Sequence, residues 1–272
     1  MHTSCSDASV RDEPLKASFR NLYSEYSPKE YVKIFIEKLD YRPPFRIMSE
    51  VKQYSRAILP EGVIRLTILG SAHGLDSAVL KHGIQSEEII QRWTDDATLK
   101  VPFPSSDSGY EITLVDIEPE SLRYAKDMNL AEHTFMANLR RPYSAELKKH
   151  LSEHTDIIIA GGITSYIGIE GTEQVFNTCF THGNVKAMFF SVLKYLDIQK
   201  WRELCQQYNL VLHEIGEFRQ RWYKHADEKT RICAKLKAQG TLDSLDKEGL
   251  MSGLFLATPE GLFPELTVAG TQ

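Results

Sequence analysis

A chain of 272 residues has room for one large α/β domain with an appendage, or for two small domains. Its 42% hydrophobic and 25% charged residues are ordinary for a globular protein, which excludes collagen-like, low-complexity and disulfide-stapled classes. A net charge of −5 gives no general pull toward nucleic acid or anionic membrane.

In chain order, the first 25 residues are polar and mixed, without the apolar core of a signal peptide. Ser27-Pro28 reads as a helix start, and Tyr31, Val32, Ile34, Phe35 and Leu39 mark one apolar helix face. Pro43-Pro44 is expected to stop that helix, and a second is expected from Ile47 to Leu59. Residues 1–60 therefore form an expected helical lid or cap, ahead of a larger domain at 61–272.

The stretch V-I-R-L-T-I-L-G-S-A-H-G-L-D-S-A-V-L follows, from Val63 to Leu80. It reads as a strand, a small-residue turn at Gly70 to Gly74, and a helix. Unpaired N–H groups at such a helix start, and glycines that admit close approach, make this a binding device for a nucleotide-like ligand. A helix over Ser86–Trp93 and a polar connector over Asp95–Tyr110 read as an insertion, at about 85–110.

Glu111–Asp116 is a second expected strand, ending on a carboxylate. A helix over Glu120–Met128, a strand over His133–Ala137 and a helix over Ala145–Leu151 come next. The unbroken apolar run Asp156–Ala160 reads as a strand buried on both faces, with Gly161 to Tyr166 as the loop after it. Further on are a helix at Thr172–Phe180, a strand at Val185–Leu193, a helix at Ile198–Tyr208, a strand at Leu210–Phe218, a helix at Ala226–Lys237 and a last strand at Gly253–Thr258. This alternation argues for α/β architecture: a Rossmann-like, seven-stranded, mostly parallel sheet with helices on both faces.

With these residues placed, the chain resembles the class I S-adenosylmethionine-dependent methyltransferases over Ile64 to Thr258. In that family the first strand leads to a G-x-G-x-G turn under the methionine part of the cofactor, which is Gly70-Ser71-Ala72-His73-Gly74 here. The acid that takes the ribose hydroxyls corresponds to Asp116, followed by Ile117. The segment meeting adenine corresponds to Ala137-Asn138-Leu139, and the loop facing the sulfonium to Gly161 through Tyr166. The resemblance thus implies S-adenosylmethionine as cofactor, held by Gly70, Ser71, Ala72, Gly74, Asp116, Ile117, Asn138, Leu139 and Gly161. Two positions depart from the pattern: Ile68 stands where the family has an acid, and Ala72 where it has the middle glycine. The spacing from Gly70 to Asp116 also exceeds the about 20 residues usual for such folds, and the 85–110 segment absorbs the excess.

Asp116 is also readable as an ordinary strand-end turn acid, and Asn138 as a cap on the next turn rather than an adenine contact. Tyr166 has an aromatic face suited to a cation and a phenol suited to orienting an acceptor, or it packs at a sheet edge. Tyr166, Tyr26 and His133 are the candidate catalytic residues, with Tyr23, Tyr31 and Tyr41 as further lid tyrosines.

His150-Leu151-Ser152-Glu153-His154 matches H-x-x-E-H, but lies on a polar helix with no partner acid evident, so no metal is expected. Ser191 and Lys194 match S-x-x-K inside a strand, where they point to opposite faces. Arg221 reads as a carboxylate binder or a surface ion pair. The basic run 219–237 reads as a solvated face.

The four cysteines, Cys5, Cys179, Cys205 and Cys233, are scattered, and no run is long enough to span a bilayer, so a cytoplasmic protein is expected. The expected partner is a small molecule, with neither nucleic acid nor membrane and with a homodimer possible. The readings are methyl transfer to a small-molecule acceptor, as in secondary metabolism; intramolecular cyclisation of the cofactor, as in azetidine-2-carboxylate synthases that look like methyltransferases; and a silent nucleotide-binding protein. A nicotinamide ligand is disfavoured, because Ala72 and Leu75 break the fuller G-x-G-x-x-G.

Overall fold

The computed structural model describes residue 19 and residues 22–262. The first strand, β1 (Ile64–Leu69), lies between β2 (Tyr110–Asp116) and β4 (Ile157–Ala160), both parallel to it. Outside β2 lies β3 (His133–Met136), and outside β4 lie β5 (Ala187–Leu193), β7 (Gly249–Pro259) and β6 (Leu210–Trp222). The order is β3-β2-β1-β4-β5-β7-β6, with β7 antiparallel to both of its neighbours. The sheet is seven-stranded and mostly parallel, as the alternating elements predict.

Successive side chains point to opposite faces, so the apolar strands build two cores. On one face Leu66, Ile68, Ile112, Leu114, Ile157, Ile159 and Phe189 pack under α3 (Leu75–His82), α4 (Ser86–Thr94) and α5 (Pro119–Asp127). On the other, Val115, Ile158, Met188 and Phe190 meet α6 (Ala145–Glu153), α7 (Thr164–Phe176) and α8 (Gln199–Gln207). A last helix, α9 (Ala226–Gln239), packs Ile232 and Leu236 against Leu193 and Leu250.

The N-terminal helices join the first of these cores. The helix α1 (Lys29–Tyr31) runs on as a π-helix over Val32–Lys38, and α2 spans Pro43–Ile58. Val32, Phe35, Ile36, Ile47 and Met48 are buried in the same cluster as β1 and β2. Pro43-Pro44 does not stop a helix but opens one: proline lacks only an N–H that the first turn leaves unpaired anyway.

Three backbone segments differ from the expected ranges in ways that matter. Tyr166 is on the first turn of α7 rather than in a loop, and this helix is kinked at Gly168. β6 continues past Phe218 to Trp222, through bulges at Glu214/Gly216 and Arg219/Arg221, so Gln220 and Arg221 are strand residues. The strand is tied to the N-terminal helices: Arg42 donates its N–H to the Gln220 carbonyl at 2.8 Å, and Trp222 donates to the Leu39 carbonyl at 2.7 Å. The connector expected to be an insertion outside the core contributes to it, since Leu99 and Phe103 are buried in the first core and the Tyr124 hydroxyl donates to the Leu99 carbonyl.

Candidate functional site

The carboxyl ends of β2, β1 and β4 stand side by side, and each leads into one wall of the site. After β1 the chain turns through Gly70 (φ 68°), Ala72 (φ 45°) and Gly74 (φ 79°), all left-handed. Gly70 is needed twice over, because a Cβ there would also come within 2.8 Å of the Ile163 side chain. Ala72 adopts this conformation against its own Cβ, where glycine would be unstrained.

Asp116, ending β2, reaches across to that turn. Its Oδ2 accepts the Ala72 N–H at 2.7 Å, and its Oδ1 accepts the Glu118 N–H at 3.1 Å. The side chain is 8% exposed. Burial raises its pKa from the ordinary carboxylate value, while the N–H groups of Ala72, Glu118 and Ile117 pull it back. A carboxylate so held keeps lone pairs for a ligand's hydroxyls. Ser71 supplies a buried hydroxyl with no partner among the described residues. Ile117 and Met136, exposed apolar side chains beside Asp116, flank the same edge.

The N-terminal segment packs beside this turn. Tyr31 is buried, and Tyr23 and Tyr41 are half-buried. The Tyr23 phenol is held well above its ordinary pKa, by burial first and then by Tyr166, Tyr31, Tyr41 and Asp116. Tyr41 is raised by burial, then by Tyr31, Asp76 and Tyr166, with Arg221 opposing. Tyr23, Tyr31, Tyr41 and Tyr166 thus lie within electrostatic reach of one another and of Asp76 or Asp116, and the phenols of Tyr23, Tyr31 and Tyr41 stay protonated at neutral pH. Gly162, φ 85°, lets the Tyr41 hydroxyl approach, since a Cβ there would lie 2.6 Å from that oxygen.

His73 ties the N-terminal segment to the turn. Its Nε2 lies 2.8 Å from the Glu25 carbonyl, which only accepts, so the ring donates there. Burial lowers its pKa to about 4, and the imidazole is neutral. The Ser121 hydroxyl adds a hydrogen bond to the Tyr23 carbonyl.

Not every expected residue comes to this edge. Gly70, Ser71, Ala72, Asp116, Ile117, Gly161 and Tyr166 do, whereas Gly74 turns toward the core, where a Cβ would lie 3.1 Å from Ala125 and 3.3 Å from Leu114 and Leu130. His133 does not: it opens β3 near the amino edge, 3.2 Å from Glu111 and against the His150 ring, so a catalytic role is corrected on geometry. Tyr26 does not either: its hydroxyl donates to Asp127, the last residue of α5, and its ring lies under Arg123. Asn138 is exposed, and its Oδ1 accepts the Arg140 N–H at 3.0 Å, so it caps the next turn. Leu139 packs into the core beneath α7.

The other motifs are absorbed structurally. His150 shares a 2.7 Å hydrogen bond with Thr113, and no group of three or more His, Cys, Asp or Glu among the described residues is arranged for a metal. The Ser191 hydroxyl accepts the Gly162 N–H, while Lys194 pairs with Asp243. Arg221 is not a surface residue but a fully buried one, committed to buried Glu228 through both terminal nitrogens at 2.9 and 2.5 Å.

Two site residues escape the sequence reading. Gln220 is 1% exposed with an unpartnered Oε1, and its Nε2 lies 3.2 Å from where a Gly162 Cβ would be. Asp76, on the first turn of α3, is buried, and its charge raises the pKa values of Tyr31 and Tyr41.

No family model matches the chain, and no curated protein does. Solved structures similar to it include magnesium protoporphyrin IX methyltransferase from Synechocystis PCC 6803 with bound SAM, with a TM-score of 0.46 and 9% identity over 79% of this chain and 79% of that one. The plantazolicin methyltransferase BpumL in complex with SAH has a TM-score of 0.47 and 8% identity, over 88% of this chain and 97% of that one. The [4+2]-cyclase SpnF has a TM-score of 0.43 and 10% identity, over 79% of this chain and 80% of that one. No described helix is long and apolar enough to cross a membrane.

Proposed function

We propose that this protein is an S-adenosylmethionine-dependent methyltransferase acting on a small-molecule acceptor. The observation that carries the reading is the clasp between Asp116 and the Ala72 N–H, which sets a buried carboxylate beside the glycine turn on neighbouring parallel strands. The residues present fit the cofactor: Asp116 has lone pairs for both ribose hydroxyls, Ser71 has a spare buried hydroxyl, and Ile117 and Met136 offer apolar cover for adenine.

When bound, the sulfonium supplies an already activated methyl group, so positioning and exclusion of water provide most of the rate. Tyr23, Tyr31, Tyr41 and Tyr166 present ring faces suited to a cation. The protonated phenols of the first three are hydrogen-bond donors for an acceptor, and Gln220 adds an amide beside Gly162. In this reading residues up to about 60 act as the lid over the domain at 61–272. The buried free thiols of Cys179 and Cys205 accord with a reducing, cytoplasmic setting.

The test is to incubate the chain with S-adenosylmethionine alone, and then with a panel of small amines, phenols and carboxylic acids, and to weigh the products. Adenosylhomocysteine formed only with an acceptor supports methyl transfer. Methylthioadenosine formed without one replaces this reading with intramolecular cyclisation. Absence of both products, together with no binding of either nucleoside, overturns both.

A further inference from the structure

The strand order assigns a direction to the site. Asp116 follows β2, the glycine turn follows β1, and Gly161 follows β4, in that spatial sequence along one edge. An adenosyl ligand with its sugar at Asp116 and its sulfur over the turn extends its aliphatic arm toward Gly161. Asp76 stands at that far end: its Oδ1 lies 3.7 Å from where a Gly161 Cβ would be, and its charge reaches the Tyr31 and Tyr41 phenols, whose pKa values it raises.

Asp76 is 8% exposed, and among the described residues no Lys, Arg or His pairs with it. The Arg221 guanidinium pairs with Glu228 through both terminal nitrogens, which leaves only its buried Nε without a partner among the described residues. Burial pushes its pKa up to about 7, with its own backbone N–H opposing. A buried carboxylate without a protein cation is unfavourable unless a ligand brings one.

We propose that Asp76 binds the α-ammonium of the cofactor's methionyl end, doing from α3 what the acid missing at Ile68 does not. The assignment rests on the cofactor reading above. It makes amino-acid-bearing adenosyl compounds the preferred ligands of this site, over methylthioadenosine and other truncated nucleosides. Asp76 is a binding residue here, and no bond-making step is assigned to it.

The experiment is a calorimetric cycle on the full chain. Adenosylhomocysteine and its deamino analogue, which lacks only the ammonium, are titrated into wild-type protein and into Asp76→Asn. In wild type, removing the ammonium is expected to weaken binding about tenfold or more, as for a charged hydrogen bond lost from a buried site. In Asp76→Asn the two ligands are expected to bind within about twofold of each other, because the group that senses the ammonium is gone. An equal ammonium preference in both proteins overturns the assignment and leaves the cofactor reading standing. A wild-type protein that binds the two ligands equally overturns it without use of the variant. A wild-type protein that binds neither overturns the cofactor reading and this assignment with it.

Discussion

Asp116 Oδ2 and the Ala72 N–H are 2.7 Å apart, although 44 positions separate them in sequence. The bond ties the end of β2 to the turn after β1, so the acid shapes the turn and, under the proposed function, also faces the ligand. Asp116→Ala therefore has two consequences. Adenosylhomocysteine binding is expected to weaken by about 1–3 kcal/mol, and ligand-free stability to fall by a similar amount as the Ala72 and Glu118 N–H groups lose their acceptor. Calorimetry and thermal melting read the two effects separately.

Ala72 sits at φ 45°, a conformation that costs an L-residue about 1–2 kcal/mol. Ala72→Gly relieves that strain but makes the unfolded chain more flexible, by about 0.4–1 kcal/mol. The melting temperature of Ala72→Gly is expected to equal or exceed that of wild type. A clear fall would mean that the alanine methyl contributes packing which outweighs its backbone strain.

Asp76 gives a pH dependence of known sign. Its folded pKa of about 7 lies above the ordinary carboxylate value, so the folded state holds the proton more tightly than the unfolded state. The resulting stability is complete below about pH 4 and is lost as pH rises to about 7. Tyr31 and Tyr41, whose pKa values it raises, remain neutral throughout this window. In ligand-free protein, Asp76→Asn is expected to be more stabilising at pH 8 than at pH 5, by up to about 3 kcal/mol. Urea melts of both proteins at the two pH values check this, and an equal effect would show that the carboxyl ionises freely.

His133 lies against Glu111 near the amino edge, away from Asp116. His133→Ala is expected to leave adenosylhomocysteine affinity and turnover within about twofold of wild type, at the scale of an exposed pair worth about 0–1 kcal/mol. A large loss of turnover with intact binding would restore the histidine to the reaction.

Much of this arrangement is legible in the residues. Unbroken apolar runs at Ile64–Leu69 and Ile157–Ala160 mark central strands, and the acid at Asp116 and the glycine turn fall on adjacent strands as their order predicts. Other features need tertiary contacts. Pro43-Pro44 is ambiguous alone, because proline both ends and opens helices. Tyr23, Tyr26, Tyr31 and Tyr41 look alike as letters, and packing decides which come within reach of Asp76 or Asp116 and which, like Tyr26, pair elsewhere. β6 runs on to Trp222 because bulges absorb its irregular register, which no period-2 pattern reveals. Asp76 left one signal: it sits in a helix start where Leu75 through Leu80 are all buried, so its carboxylate had to be enclosed with them.

The central claim is that an adenosyl group lies across the carboxyl edge of the sheet with its sugar at Asp116. The most direct measurement is calorimetric titration of adenosylhomocysteine into wild-type chain and Asp116→Ala. The account predicts saturable one-to-one binding to wild type and an affinity about 5- to 150-fold lower in the variant, equivalent to about 1–3 kcal/mol. Equal affinities, or no binding to the wild-type protein, would contradict it.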